Sequence, residues 1–128
     1  MEKTEENKKL VEGFVNDVLF GKNPGKITDY ISTETYHQHN PHVADGFDGL
    51  GKALQELTDA GMPMTYANNY LILGQGNFVL TVSEGIFMKK NVAFYDLFRV
   101  ENVKIVEHWD TIEEIPAKEE WKNNNGKF

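Results

Sequence analysis

After Gly61-Met62-Pro63 the sequence carries four strand-like runs in a row, at residues 65–73, 78–88, 91–101 and 104–112. Their separators, Gly74-Gln75-Gly76-Asn77, Lys89-Lys90 and Asn102-Val103, are the size of hairpin turns. Such a series pairs as an antiparallel meander, and what precedes it must cover one of its faces. Leu10, Val11, Phe14, Val15, Val18 and Leu19 recur at helical spacing, which predicts a helix over 5–20, capped by Thr4 and stopped at Gly21. A short helical piece follows Pro24, carrying Ile27, Tyr30 and Ile31, and residues 35–39 read as a short strand ended by Asn40-Pro41. Asp48 is placed to cap a third helix, whose buried stripe is Leu50, Ala53, Leu54 and Leu57. The tail from Glu113 reads as irregular and partly mobile. Helices first and a meander after them give an α+β fold, with the helices packed on the concave side of a curved antiparallel sheet. The result is a cone whose mouth is the natural ligand site.

The 128 residues suit one domain spanning 1–128, large enough to enclose one small-molecule cavity. Twenty acidic residues against 13 basic ones give a net charge of -7, which repels phosphate backbones and argues against nucleic acid as a partner. The absence of cysteine excludes a disulfide framework, thiolate metal sites and a cysteine nucleophile. No apolar run approaches the roughly 18 residues of a membrane span, and Met1 to Leu10 are too polar for a secretory signal. Cytoplasmic location and no membrane partner are the expectations.

The last hairpin bears most directly on chemistry. A two-residue turn at Asn102-Val103 sets Val100 opposite Ile105, Phe98 opposite Glu107 and Asp96 opposite Trp109. The alternative register opposes Asp96 to Asp110, which like-charge repulsion disfavours. One face then holds Phe94, Asp96, Phe98, Val100, Ile105, Glu107 and Trp109, and its apolar character assigns it to the interior. A carboxyl group among aromatics tends to keep its proton, so Asp96 is the candidate proton donor to a substrate carbonyl. His108 and Asp110 fall on the other face in this register and stand only as alternates. Val103 suits a turn needing positive φ poorly.

Tyr36-His37-Gln38-His39-Asn40-Pro41-His42 is the second constellation. Strand alternation puts Tyr36, Gln38 and Asn40 on one side as polar pocket lining, with His37 and His39 on the other. Spacing supplies no third metal ligand, so no metal is expected, and His39 is the candidate general base.

Tyr36–Pro41, Gly46-Phe47-Asp48-Gly49, and the strings 94–102 and 104–110 around His108-Trp109-Asp110 resemble the SnoaL-like polyketide cyclase family of the nuclear-transport-factor-2-like superfamily. The resemblance implies a cystatin-like cone, a homodimer across the outer sheet face, and acid–base catalysis of an aldol closure without a cofactor. Asp96 is similar in position to the protonated aspartic acid of the related ketosteroid isomerases. The isomerase base, however, corresponds to Asn40, an amide that cannot abstract a proton. The combined expectation is a pocket enzyme, of cyclase or isomerase type, for a small hydrophobic carbonyl compound. Asp96 and His39 would be catalytic, and Tyr36, Gln38, Asn40, Phe94, Phe98, Glu107 and Trp109 substrate-binding. The alternatives are a non-catalytic binder of an apolar ligand, and a dimeric interaction module whose pocket is filled by side chains.

Overall fold

A computed structural model describes residues 3–128. Helix α1 spans Thr4–Phe14 and continues as a π-helical turn over Val15–Leu19, ending at Gly21 with φ +78°. Together these match the single helix expected, except that Lys3 occupies the N-cap position. The Thr4 hydroxyl instead accepts the Gly76 N–H (3.0 Å), and Asn7 donates to the Gly76 carbonyl (3.0 Å), so the first turn of α1 is tied to a sheet hairpin. A 3₁₀ turn at Pro24–Lys26 leads into α2, Ile27–Tyr30. Strand β1 is only His37–Gln38, and α3 runs Gly46–Asp59 from an N-cap at Asp45, three residues earlier than the expected cap at Asp48.

The four strand-like runs become β2 (Thr65–Gln75), β3 (Phe78–Phe87), β4 (Lys90–Glu101) and β5 (Lys104–Glu114). They form one five-stranded sheet in the order β1-β5-β4-β3-β2, antiparallel except for β1, which runs parallel to β5. The β3–β4 turn falls on Met88-Lys89, one residue before the expected pair. Val11, Phe14 and Val15 pack against Val79, Phe98, Val100 and Ile105 of the inner sheet face, joined by Ile31 and Tyr36. Each such apolar side chain contributes roughly 1.5–3 kcal/mol on leaving water. The tail is not wholly irregular. It contains a 3₁₀ turn at Lys118–Glu120, and Phe128 stacks on Tyr70 of β2.

The β4–β5 hairpin begins as the sequence predicts and then departs from it. Glu101 pairs with Lys104 and Val100 with Ile105, but Arg99 pairs with Glu107, leaving Val106 as the extra residue of a bulge. A single added residue exchanges the two faces of everything beyond it. Asp96 therefore lies opposite Asp110 and Phe98 opposite His108. This corrects the expected register: His108 and Asp110 point inward, and Glu107 and Trp109 point outward.

Asn102 (φ +52°) and Val103 (φ +61°) form the turn. A β-branched residue in the left-handed region costs about 1–3 kcal/mol, and Val103 is 50% exposed, so little packing offsets that strain. Val103→Gly should raise the unfolding free energy by about 1 kcal/mol in urea denaturation, after the entropy lost on ordering glycine. No gain in the urea midpoint would argue against strain at this turn.

Candidate active site

Between the inner sheet face and α3 lies a cavity of about 1060 Å³. No residue of α3 is fully buried. Its stripe Leu50, Ala53, Leu54 and Leu57 is half-buried and lines the cavity instead of filling it. With Phe14, Val18, Leu19, Phe87 and Ile112 these residues make apolar walls. A volume this far above the ~300 Å³ lower bound for ligand sites rules out the side-chain-filled pocket.

A hydrogen-bonded polar group interrupts those walls, built from β1 with the segments on either side of it, and from β2, β4 and β5, while Lys52, Glu56, Lys90 and Glu114 also contribute to the lining. Tyr36, Gln38 and Asn40 alternate inward as expected, and Tyr66, Asp96, His108 and Asp110 join them. Asp96, only 1% exposed, accepts a hydrogen bond at Oδ2 from the Tyr66 hydroxyl (2.8 Å), and its Oδ1 lies 2.9 Å from His108 Nε2. His108 Nδ1 lies 3.0 Å from Gln38 Oε1, which also accepts the Asn40 backbone N–H (3.0 Å). Gln38 Nε2 donates to the Tyr36 hydroxyl (3.1 Å). Asn40 Nδ2 donates to both oxygens of Asp110 (3.1 and 3.3 Å), while its Oδ1 accepts the His42 N–H (2.9 Å).

The repulsion expected between Asp96 and Asp110 is therefore met by neighbours from other elements. Among the described residues no lysine or arginine pairs with either carboxylate. Burial raises the Asp110 pKa, and the Asp96 charge adds to that, against the lowering effects of His108 and Asn40. Burial likewise raises the Tyr36 and Tyr66 phenols, reinforced by Asp96 and Asp110, so both keep their protons near neutrality. Tyr66 spends its proton on Asp96, whereas the Tyr36 oxygen accepts from Gln38, and among the described residues no acceptor is placed for its own proton.

Several expected site residues lie elsewhere. His39 is outside the cavity, stacked on Trp109 (centroids 4.6 Å apart, planes at 6°) with Nε2 2.6 Å from Glu107 Oε2. Glu107 also receives Arg99 Nε (2.7 Å), and these partners, His39 first, lower its pKa. The strand alternation that turns Gln38 inward turns His39 outward, and the bulge sends Glu107 and Trp109 to the same side. Phe94 is buried on the inner face but stacks behind Tyr66 (4.1 Å) and does not line the cavity, whereas Phe98 does. Asp96 is at the cavity, but both its oxygens are engaged within the protein. Tyr66 had no signal in the sequence, since only the β2–β3–β4 pairing brings it to Asp96.

Asp96, His108 and Asp110 each offer an atom with metal-ligand chemistry, all within 4.8 Å of one another. A cation there would have to replace the hydrogen bond between Nε2 and Asp96 Oδ1.

No protein-family model matches the chain, and no curated protein does. Solved structures do. A ketosteroid isomerase candidate from Kribbella flavida superposes with a TM-score of 0.76 at 12% identity, over 99% of this chain and 96% of its own. A Xanthomonas campestris protein of unknown function with a cystatin-like fold gives 0.67 at 19% identity, over 88% and 91%. A polyketide cyclase candidate from Acidithiobacillus ferrooxidans gives 0.63 at 13%, also over 88% and 91%. These likenesses show the fold alone: it is the α+β cone expected from the resemblance to SnoaL-like and nuclear-transport-factor-2-like proteins. No helix among the described residues is long and apolar enough to cross a membrane.

Proposed function

We propose that this protein is a cytoplasmic acid–base enzyme, of isomerase or cyclase type, that enolises a hydrophobic carbonyl compound with its own side chains. One observation carries the reading: a carboxyl group whose pKa burial has raised and a phenol with an uncommitted proton face the same apolar cavity. Asp110 takes the proton α to the carbonyl; the C–H electron pair moves into a C=C bond, and the developing enolate oxygen accepts the Tyr36 hydroxyl hydrogen bond. Returning the proton to another carbon isomerises the compound, and attack of the enolate carbon on a second carbonyl closes a ring. Asp96 and His108 stand behind this pair as a buried proton store. The names of the Kribbella and Acidithiobacillus proteins, a ketosteroid isomerase and a polyketide cyclase, support the substrate class. The outer sheet face, with Leu71, Leu73 and Phe78 exposed, supports the homodimer that the resemblance implies.

The test needs no knowledge of the natural product. Bicyclic ketones such as 2-tetralone, held with the protein in D2O, should exchange α-protons at an enzyme-dependent rate followed by proton NMR. Asp110→Asn should slow that exchange by about 10²–10⁴-fold and Tyr36→Phe by about 10²-fold. Ionised Asp110 is the active form, so the rate rises with pH through a midpoint above the ordinary value of 3.8. Exchange by Asp110→Asn within a few-fold of wild type overturns the assignment. Stoichiometric binding with no exchange on any ketone favours the non-catalytic binder.

A further inference from the structure

Gln38 occupies a position that the proposed chemistry does not use directly, yet it touches both halves of the polar group. We propose that Gln38 is a positioning residue that sets the direction of two protons, one on His108 and one on Tyr36. The inference builds on the acid–base reading for its catalytic consequence, while its structural content stands apart from it.

A backbone N–H can only donate, so the Asn40 N–H fixes which end of the Gln38 amide is oxygen. That oxygen has one lone pair left, and it faces His108 Nδ1 at 3.0 Å. Nδ1 must therefore carry a hydrogen, whatever the charge of the ring. The exchangeable position is Nε2, which shares one proton with Asp96 Oδ1 at 2.9 Å. On the other side of the same amide, Nε2 of Gln38 must donate to the Tyr36 oxygen, which directs the phenol proton away from Gln38 and toward the cavity.

The amide is itself held. The Gln38 N–H donates to Asp45 Oδ1 (2.9 Å), the N-cap residue of α3, and the His39 N–H donates to the His108 carbonyl (3.0 Å). The two-residue strand β1 thus locks the side chain opposite His108, its Cα partner in the parallel register. Glutamate has the same shape but two acceptors and no donor. In Gln38→Glu the Tyr36 hydroxyl turns back to the new carboxylate, and a third acid joins Asp96 and Asp110 around His108. Gln38→Leu removes both constraints.

Protein labelled with ¹⁵N in its histidines reports the tautomer without any substrate. In the wild type, His108 Nδ1 should read as protonated across the pH range in which the protein is folded. In Gln38→Leu, His108 should move toward the commoner tautomer, with hydrogen on Nε2 and a bare Nδ1. Gln38→Glu should slow ketone exchange by about 10²-fold through kcat, with KM little changed. A bare Nδ1 in the wild type at any of these pH values overturns the proposal, even if neither variant folds. So does a folded Gln38→Glu whose exchange rate is unaltered while the wild type is active. Protonated Nδ1 with no ketone exchange in the wild type leaves Gln38 in this role and removes the enzymatic reading instead.

Discussion

Asp96→Leu should destabilise the protein by about 3–5 kcal/mol, a drop of roughly 10–20 °C in Tm, while Asp96→Asn stays within about 1 kcal/mol of wild type. Leucine has the same branched shape, though it is bulkier, and leaves the Tyr66 hydroxyl and His108 Nε2 facing an apolar side chain in a site only 1% exposed. Unmade hydrogen bonds at such depth cost about 1–3 kcal/mol each. Asparagine fits the network because Gln38 keeps hydrogen on Nδ1. A neutral His108 can accept from the new amide at Nε2, and the amide oxygen can accept from Tyr66. Paired thermal and urea denaturation separates the two variants. Equal stability for leucine and asparagine would mean that the Asp96 hydrogen bonds contribute nothing, and the proton store behind Tyr36 and Asp110 would lose its physical basis.

Deleting Val106 should cost about 2–4 kcal/mol while leaving the pairing around the site unchanged. The deletion removes the bulged residue, so Glu107 follows Ile105 directly and the uninterrupted hairpin keeps Arg99 opposite Glu107, Phe98 opposite His108 and Asp96 opposite Asp110. Glu107 keeps Arg99 and His39 on the outer face, and His108 and Asp110 keep Gln38, Asp96 and Asn40 on the inner one. The loss is the buried side chain of Val106, 5% exposed, together with the local bend that the bulge imposes. The register of β1 on β5, His37 to Glu107 and Gln38 to His108, is likewise kept. Circular dichroism with thermal unfolding measures the loss. A folded deletion variant that loses ketone exchange altogether would show that the bend at the bulge, and not the strand pairing alone, places the site.

The elements were legible in the sequence because they are set by local pattern. The helical stripe from Leu10 to Leu19, the glycine at 21 and the hairpin-sized gaps between runs of alternating residues are signals a few residues long. They produced α1 with its π-helical extension and strands β2 to β5, with ends shifted by a residue or two. The inward set Tyr36, Gln38 and Asn40 was readable for the same reason, since alternation on an extended segment needs no partner.

Beyond the meander, pairing decided the outcome. Like-charge repulsion was a sound reason to keep Asp96 from facing Asp110, yet the structure places them opposite each other. The repulsion is answered by His108 from the same strand, by Tyr66 from β2 and by Asn40 from the segment after β1, groups 12, 30 and 70 positions away in the pairs they make. No short-range pattern carries that information. The same holds for the bulge at Val106, a one-residue insertion that the sequence marks with nothing distinctive.

The sequence alone determined which segments are helix and strand, that a cone results, and that an acid sits among aromatics at Asp96. Only the tertiary structure decided which histidine belongs to the cavity, because face assignment past a bulge depends on how two strands register and not on what either contains. That single residue's displacement brought in His108, while alternation along β1 had already turned His39 away from Gln38.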